Sequence, residues 1–126
     1  MSNPIQAPRD GSDFGSKAAV LYKKQNLEGG NLAQDYIDIG AIGCQNLDML
    51  FGSWDKAVRS WKVEKGFKCR FHTESGCPEK GQKVEYGNML GSVAVYRLTN
   101  AWDRKLRSIN CWETARKDPG DVDTTS

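Results

Sequence analysis

The chain has 126 residues, 38% hydrophobic and 27% charged, which suits one globular domain rather than two and excludes a disordered chain. The net charge of +2 comes from Lys and Arg interleaved with Asp and Glu, so a nucleic-acid partner is not expected. No apolar run approaches the length of a membrane span, so no membrane partner is expected either.

In chain order, residues 1–17 are rich in Pro, Gly, Ser and Asp and read as a flexible arm. They contain no apolar h-region, so no secretory signal is visible and a cytoplasmic location is expected. Residues 117–126 form a polar tail of the same kind, leaving 18–116 as the folded domain. Inside it no segment holds a helical apolar period for three turns. Ala18 to Tyr22 reads as a strand, Gln25 to Gly30 as a turn, and Asp35 to Ile39 as a half-buried strand. Gly40 to Asn46 is expected to turn, with a short helical turn around Asn46 to Phe51. Strands follow at Val58–Glu64, Phe67–Phe71, Val84–Tyr86, Val93–Leu98 and Leu106–Trp112. Short strands punctuated by turn residues predict an all-β sandwich or barrel.

Four cysteines stand at 44, 69, 77 and 111. Without an export signal they read as thiols, with at least two expected free; the spacing also leaves open a Cys69–Cys77 disulfide across a hairpin.

The most specific feature is a repeat. Trp54-Asp55-Lys56-Ala57-Val58-Arg59-Ser60 returns 48 residues later as Trp102-Asp103-Arg104-Lys105-Leu106-Arg107-Ser108. Such a period means one supersecondary unit used twice. Each half, 18–65 and 66–116, opens with a strand ending in an aromatic, Tyr22 or Phe71. Each continues through a Gly-bearing hairpin, at Gly29 or Gly81, and closes on the repeated segment. The glycine is expected to supply a positive-φ corner, and the ring to cover the bend. Four strands per half is the count of paired Greek keys.

These residues resemble the βγ-crystallin family. Tyr22-Lys23-Lys24-Gln25-Asn26-Leu27-Glu28-Gly29 matches its aromatic-to-Gly motif. Asp55 to Ser60 and Asp103 to Ser108 occupy the place of its Asn/Asp-Asn/Asp-x-x-Ser/Thr-Ser segment. The second hairpin, Phe71 to Gly81, is longer than that pattern. The resemblance implies two Greek keys packed as a β-sandwich, and within the family the chain looks like the single-domain fungal type that accumulates in fruiting bodies.

Many microbial members bind calcium at the two acidic segments. Calcium takes six to eight oxygen ligands. Here the first position survives as Asp55 and Asp103, but the second is Lys56 and Arg104, and the fifth, which should offer a hydroxyl, is Arg59 and Arg107. A guanidinium only donates hydrogen bonds, and its fixed charge repels a divalent cation twice as strongly as a monovalent one. The segments, with Ser60 and Ser108 at their ends, therefore read as degenerate calcium motifs in which Arg either pairs with Asp or faces water. No tight calcium and no cofactor are expected.

Catalysis is poorly supported. His72 is the one histidine, no paired CxxC motif exists, and no GxGxxG or P-loop pattern appears. A dyad of His72 with Cys69 or Cys77 is arithmetically open, but a strand cysteine is usually inert packing. Trp54, Trp61, Trp102 and Trp112 read as core aromatics rather than as a stacking platform. The expected protein is a non-enzymatic structural or storage protein, a monomer with self-association left open. A calcium-binding module and a secreted toxin or effector of the same fold stand as rivals.

Overall fold

The computed structural model describes residues 16–29 and 35–114. The expected arm, apart from Ser16 and Lys17, and the expected tail lie outside them. Eight strands follow one another: β1 Lys17–Tyr22, β2 Tyr36–Gly40, β3 Gly43–Asn46, β4 Ser60–Val63, β5 Phe67–His72, β6 Lys83–Tyr86, β7 Val93–Val95 and β8 Ser108–Glu113. A one-turn 3₁₀ segment occupies Leu47–Met49, and Gln25–Leu27 is a tight turn with Asn26 and Leu27 left-handed at φ 65° and 56°.

The strands form two antiparallel sheets, ordered β2-β1-β4-β7 and β3-β8-β5-β6. Each half of the chain gives three strands to one sheet and its third strand to the other, so neither half can close its core alone. That exchange joins the two Greek keys into one sandwich.

Period-two alternation fixes which side chains meet between the sheets. Ala19, Leu21, Ile39, Trp61 and Val63 point inward from one sheet, and Cys69, Phe71, Ile109 and Cys111 from the other. Trp61 stacks on Phe71 with ring centroids 3.8 Å apart, and Trp102 meets Trp61 edge-on at 6.0 Å. A fully buried Leu, Ile or Phe contributes on the order of 1.5–3 kcal/mol of transfer free energy. Trp54, Trp61 and Trp102 thus pack in or against the core; Trp112, half-buried, lies under the guanidinium of Arg70 instead.

Three expectations need correction. Gly43 to Asn46 is not a turn but the edge strand β3, paired with β8 from Gly43↔Cys111 to Asn46↔Ser108. Its Gly-Cys-Gln-Asn sequence carries no β-branched or aromatic residue, so the strand rests on its partner rather than on propensity.

The second correction is one of register. Tyr22 lies opposite Ser60, and the residue opposite Ser108 is His72, not Phe71. Phe71 corresponds to Leu21 and faces the core, so it covers no bend. Gly29 is likewise not a left-handed corner. It is buried, and a Cβ there would sit 3.1 Å from Tyr36 Cδ1 and 3.3 Å from Tyr22 Cδ2, so its role is to let the hairpin lie on those two rings. Gly81, at φ +104°, is the positive-φ corner expected.

The third concerns the cysteines. None is free: Cys44 is bonded to Cys77 and Cys69 to Cys111. Cys69 and Cys77 cannot meet, because Cys69 shares the inward face of β5 with Phe71 while the hairpin carrying Cys77 folds over the outward face. Cys111 lies directly across from Cys69 in the ladder, with Cα atoms 4.0 Å apart, and Cys44 stands on the outward face beside Cys77.

Candidate functional site

The repeated segments form two interlocked turns at one end of the sandwich. In each, the residue after Asp adopts a left-handed backbone, Lys56 at φ 59° and Arg104 at φ 59°. Each turn closes on its Trp: Ala57 N–H donates to Trp54 O at 3.1 Å, and Lys105 N–H to Trp102 O at 3.0 Å. The turns then exchange bonds. Lys56 N–H donates to Leu106 O and Arg104 N–H to Val58 O, each at 3.0 Å. Val58 and Leu106 are fully buried, which pins both turns to the core. The arrangement is a local two-fold in which each repeat completes the other.

Side chains follow the same symmetry. Arg59 reaches out of its own repeat to grip Asp103 with two bonds, Nε to Oδ1 at 2.9 Å and Nη2 to Oδ2 at 3.0 Å. Arg107 reaches back to Asp55, Nε to Oδ1 at 3.1 Å. Planar two-point contact is the geometry in which arginine binds carboxylate best. The guanidinium hydrogen bond holds the Asp103 carboxyl below its ordinary range, partial burial opposing it, and the same bond raises Arg59. The four side chains are partly exposed, with Arg59 at 28% and Arg107 at 37% of their surface open, so solvent screens both pairs.

Ser60 and Ser108 stand apart from the carboxylates. Both are fully buried and fasten the hairpins. Ser60 Oγ donates to Lys24 O at 2.5 Å and accepts from Leu27 N–H at 3.1 Å; Ser108 Oγ donates to Glu74 O at 2.6 Å and accepts from Cys77 N–H at 3.0 Å. Lys56 and Arg104 are exposed. Six of the eight motif residues therefore gather at the interlocked turns, and the two serines lie beneath the hairpins. Asp55 and Asp103 are each occupied by a cation from the opposite repeat. Among the described residues there is no group of three or more His, Cys, Asp or Glu placed to hold a metal ion.

Sequence reasoning missed the crossing of the pairs. Its signal was present, since Asp and Arg recur at the same 48-residue offset and a two-fold turns one copy toward the other. It also missed Lys23, whose ammonium lies 4.8 Å from the Trp54 ring and donates to Gly52 O.

No protein-family model matches the chain, and no curated protein matches it. Solved structures do match. A structure from work on the evolution of the eye-lens βγ-crystallin domain fold aligns at TM-score 0.62 and 18% identity, over 79% of this chain and 88% of that one. The N-terminal domain of protein S aligns at 0.60 and 16%, over 77% and 97%. A βγ-crystallin domain from Flavobacterium johnsoniae aligns at 0.56 and 20%, over 77% and 96%. Together with the strand exchange, these place the chain in the βγ-crystallin fold, an all-β sandwich of paired Greek keys.

Proposed function

We propose that this is a non-enzymatic structural or storage protein of the abundant perithecial protein type, whose crossed Asp–Arg pairs do in the turns what a calcium ion does in relatives. The observation that carries this is the reciprocal pairing, Arg59 with Asp103 and Arg107 with Asp55. A calcium ion needs those carboxylates together with a fifth-position hydroxyl. Here the hydroxyl is replaced by guanidinium, and the guanidinium has taken the carboxylate. The residues present do not fit the ion, and the turns are linked without it. Mixed surface charge and a disulfide-bonded sandwich suit a protein accumulated at high concentration as a monomer.

The test is thermal melting with and without millimolar calcium. A ligand of the native state raises the midpoint by mass action, so an unchanged midpoint supports the reading and a clear rise favours the calcium-binding module.

A second reading, a secreted toxin or effector, is favoured by the two disulfides. The cytoplasmic expectation rested on the absence of a visible secretory signal, and the free thiols were expected to follow from it. The cysteines are bonded instead, and bonded cysteines persist in oxidising compartments. No helix among the described residues is long and apolar enough to cross a membrane.

A further inference from the structure

His72 is a physical anomaly. It is 1% exposed, and neither Nδ1 nor Nε2 has a hydrogen-bond partner. Burying polar atoms unpaired is costly, and few native groups do it. The first repeat has Tyr22 at this place, half-buried beneath Gly29 with its ring beside Tyr36. The second repeat has put a titratable ring there and covered it completely.

The long hairpin 73–82 starts at the next residue and folds over the outward face of β5 and β8, where Cys77 N–H and Glu74 O are bonded to Ser108, the residue directly opposite His72. Its base is closed by Thr73 N–H donating to Gln82 O at 3.3 Å. It is fastened by the two bonds of Ser108 Oγ, a bond from Gly76 N–H to Asn46 Oδ1 at 2.6 Å, a bond from Gln82 Nε2 to Ala101 O at 3.5 Å, a bond from Lys83 Nζ to Glu79 O, and the Cys44–Cys77 disulfide. The hairpin contributes none of the large, fully buried side chains of the core.

We propose that hairpin 73–82 is a releasable strap over His72, opened by protonation of the imidazole and permitted to open only when Cys44–Cys77 is reduced. The closed strap denies His72 both water and a partner, so the folded form favours the neutral ring; an open strap lets the ring take a proton. The charges around it work the same way. Lys83 faces it from β6 and Arg70 lies along its own strand, both disfavouring a charged ring, against Glu79 in the strap, which favours it. The strap's other charged side chains are Glu74, whose carboxylate lies beside Gly81, and Lys80. β8 presents the uncharged Ser108 opposite it; the Arg107 guanidinium, next along that strand, is turned to Asp55. Burial, then the two cations, hold His72 below its ordinary value of 6.5, so a proton is taken up on opening and acid favours the open strap.

The disulfide sets the second condition. Cys44 is exposed and Cys77 half-buried, whereas Cys69 and Cys111 are sealed in the core at 0% and 2% exposure. A dithiol therefore attacks Cys44–Cys77 first: it forms a mixed disulfide, closes to its own intramolecular disulfide, and leaves Cys44 and Cys77 as two thiols, having given up two electrons and two protons.

Hydrogen exchange of the full chain tests this, with dithiothreitol as the dithiol and alkylation mapping to confirm which disulfide has opened. After correction for intrinsic rates, amides of 73–82 in the partly reduced protein should lose protection several-fold between about pH 7.5 and pH 5, by no more than about tenfold per pH unit, the limit for one proton linked to opening. The oxidised protein should keep its protection, and His72→Gln should show no acid dependence. Equal protection at both pH values in the reduced wild type overturns the proposal. So does acid opening that survives in His72→Gln, or in the oxidised protein, or exchange that rises equally in β1 and β2, which reports global unfolding. Alkylation at Cys69 and Cys111 before Cys44 and Cys77 removes its redox half.

Discussion

Replacing Cys44 and Cys77 together by serine isolates what a cross-link does to this fold. Cys44 is exposed and Cys77 half-buried, so the substitution opens no cavity in the sealed core. The linkage spans 33 residues. Closing a loop of that length in the unfolded chain removes conformational entropy worth about 3.7 kcal/mol at 25 °C. That exceeds any single hydrogen bond of the hairpin, each worth about 1 kcal/mol net, so the disulfide dominates the fastening. For a domain of about a hundred ordered residues the loss corresponds to a fall in melting temperature of roughly 15–25 °C. Tryptophan fluorescence on heating measures it, and thiol titration of unfolded, unreduced wild type should find no free thiol. A variant melting within a few degrees of wild type, or two reactive thiols in the native protein, would refute the reasoning and restore the reduced form.

Other substitutions probe separate parts of the structure. Gly87→Ala should fail to fold or lose more than about 3 kcal/mol, since Gly87 sits at φ +129° and a Cβ there would come within 2.1 Å of Phe67 O; a normal urea midpoint would contradict this backbone path. Ser60→Ala and Ser108→Ala should each cost about 1–3 kcal/mol by leaving buried hairpin groups unpaired, read from denaturant midpoints, with losses near zero arguing that the hydroxyls are ornamental. The depressed Asp103 carboxyl should add stability above its ordinary value of 3.8, and that stability should fade as pH drops through the lower folded-state value. Asp103→Asn should therefore flatten the acid limb of the stability curve between about pH 5 and pH 2, and an unchanged limb would show that the Arg59 pair is not felt in solution.

Much of the fold was written locally. Alternation in Phe67 to Phe71 and Asp35 to Ile39 marked strands because a half-buried ladder demands period two, and the doubled Asp-basic-x-aliphatic-Arg-Ser segment marked two equivalent keys. The parts that were not legible depend on partners distant in sequence. Gly43 to Asn46 is a strand because β8 lies beside it. The aromatic of the second key was misplaced by one residue, since Phe71 is the conspicuous ring in the sequence while only the ladder shows that His72 takes the place of Tyr22. The cysteines were read as thiols because no export signal is visible, and the one link that spacing left open, Cys69–Cys77, fails on strand parity, which sends Cys69 inward and makes Cys111 its neighbour across the sheet. At the turns the sequence showed arginine where a hydroxyl belongs, and left open whether it pairs. It could not show that the pair would be made with the other repeat.

The claim at the centre, that arginine stands in for calcium, is tested most directly by calorimetric titration of calcium into wild type and into Arg59→Ser/Arg107→Ser. The second motif position can serve through its backbone carbonyl, which Lys56 and Arg104 both have, whereas the fifth needs a side-chain oxygen. Freed of guanidinium, Asp55 and Asp103 become available and two hydroxyls join them. The account predicts no binding heat for the wild type and measurable heat for the double variant. Micromolar binding by the wild type, or silence from both proteins, would contradict it.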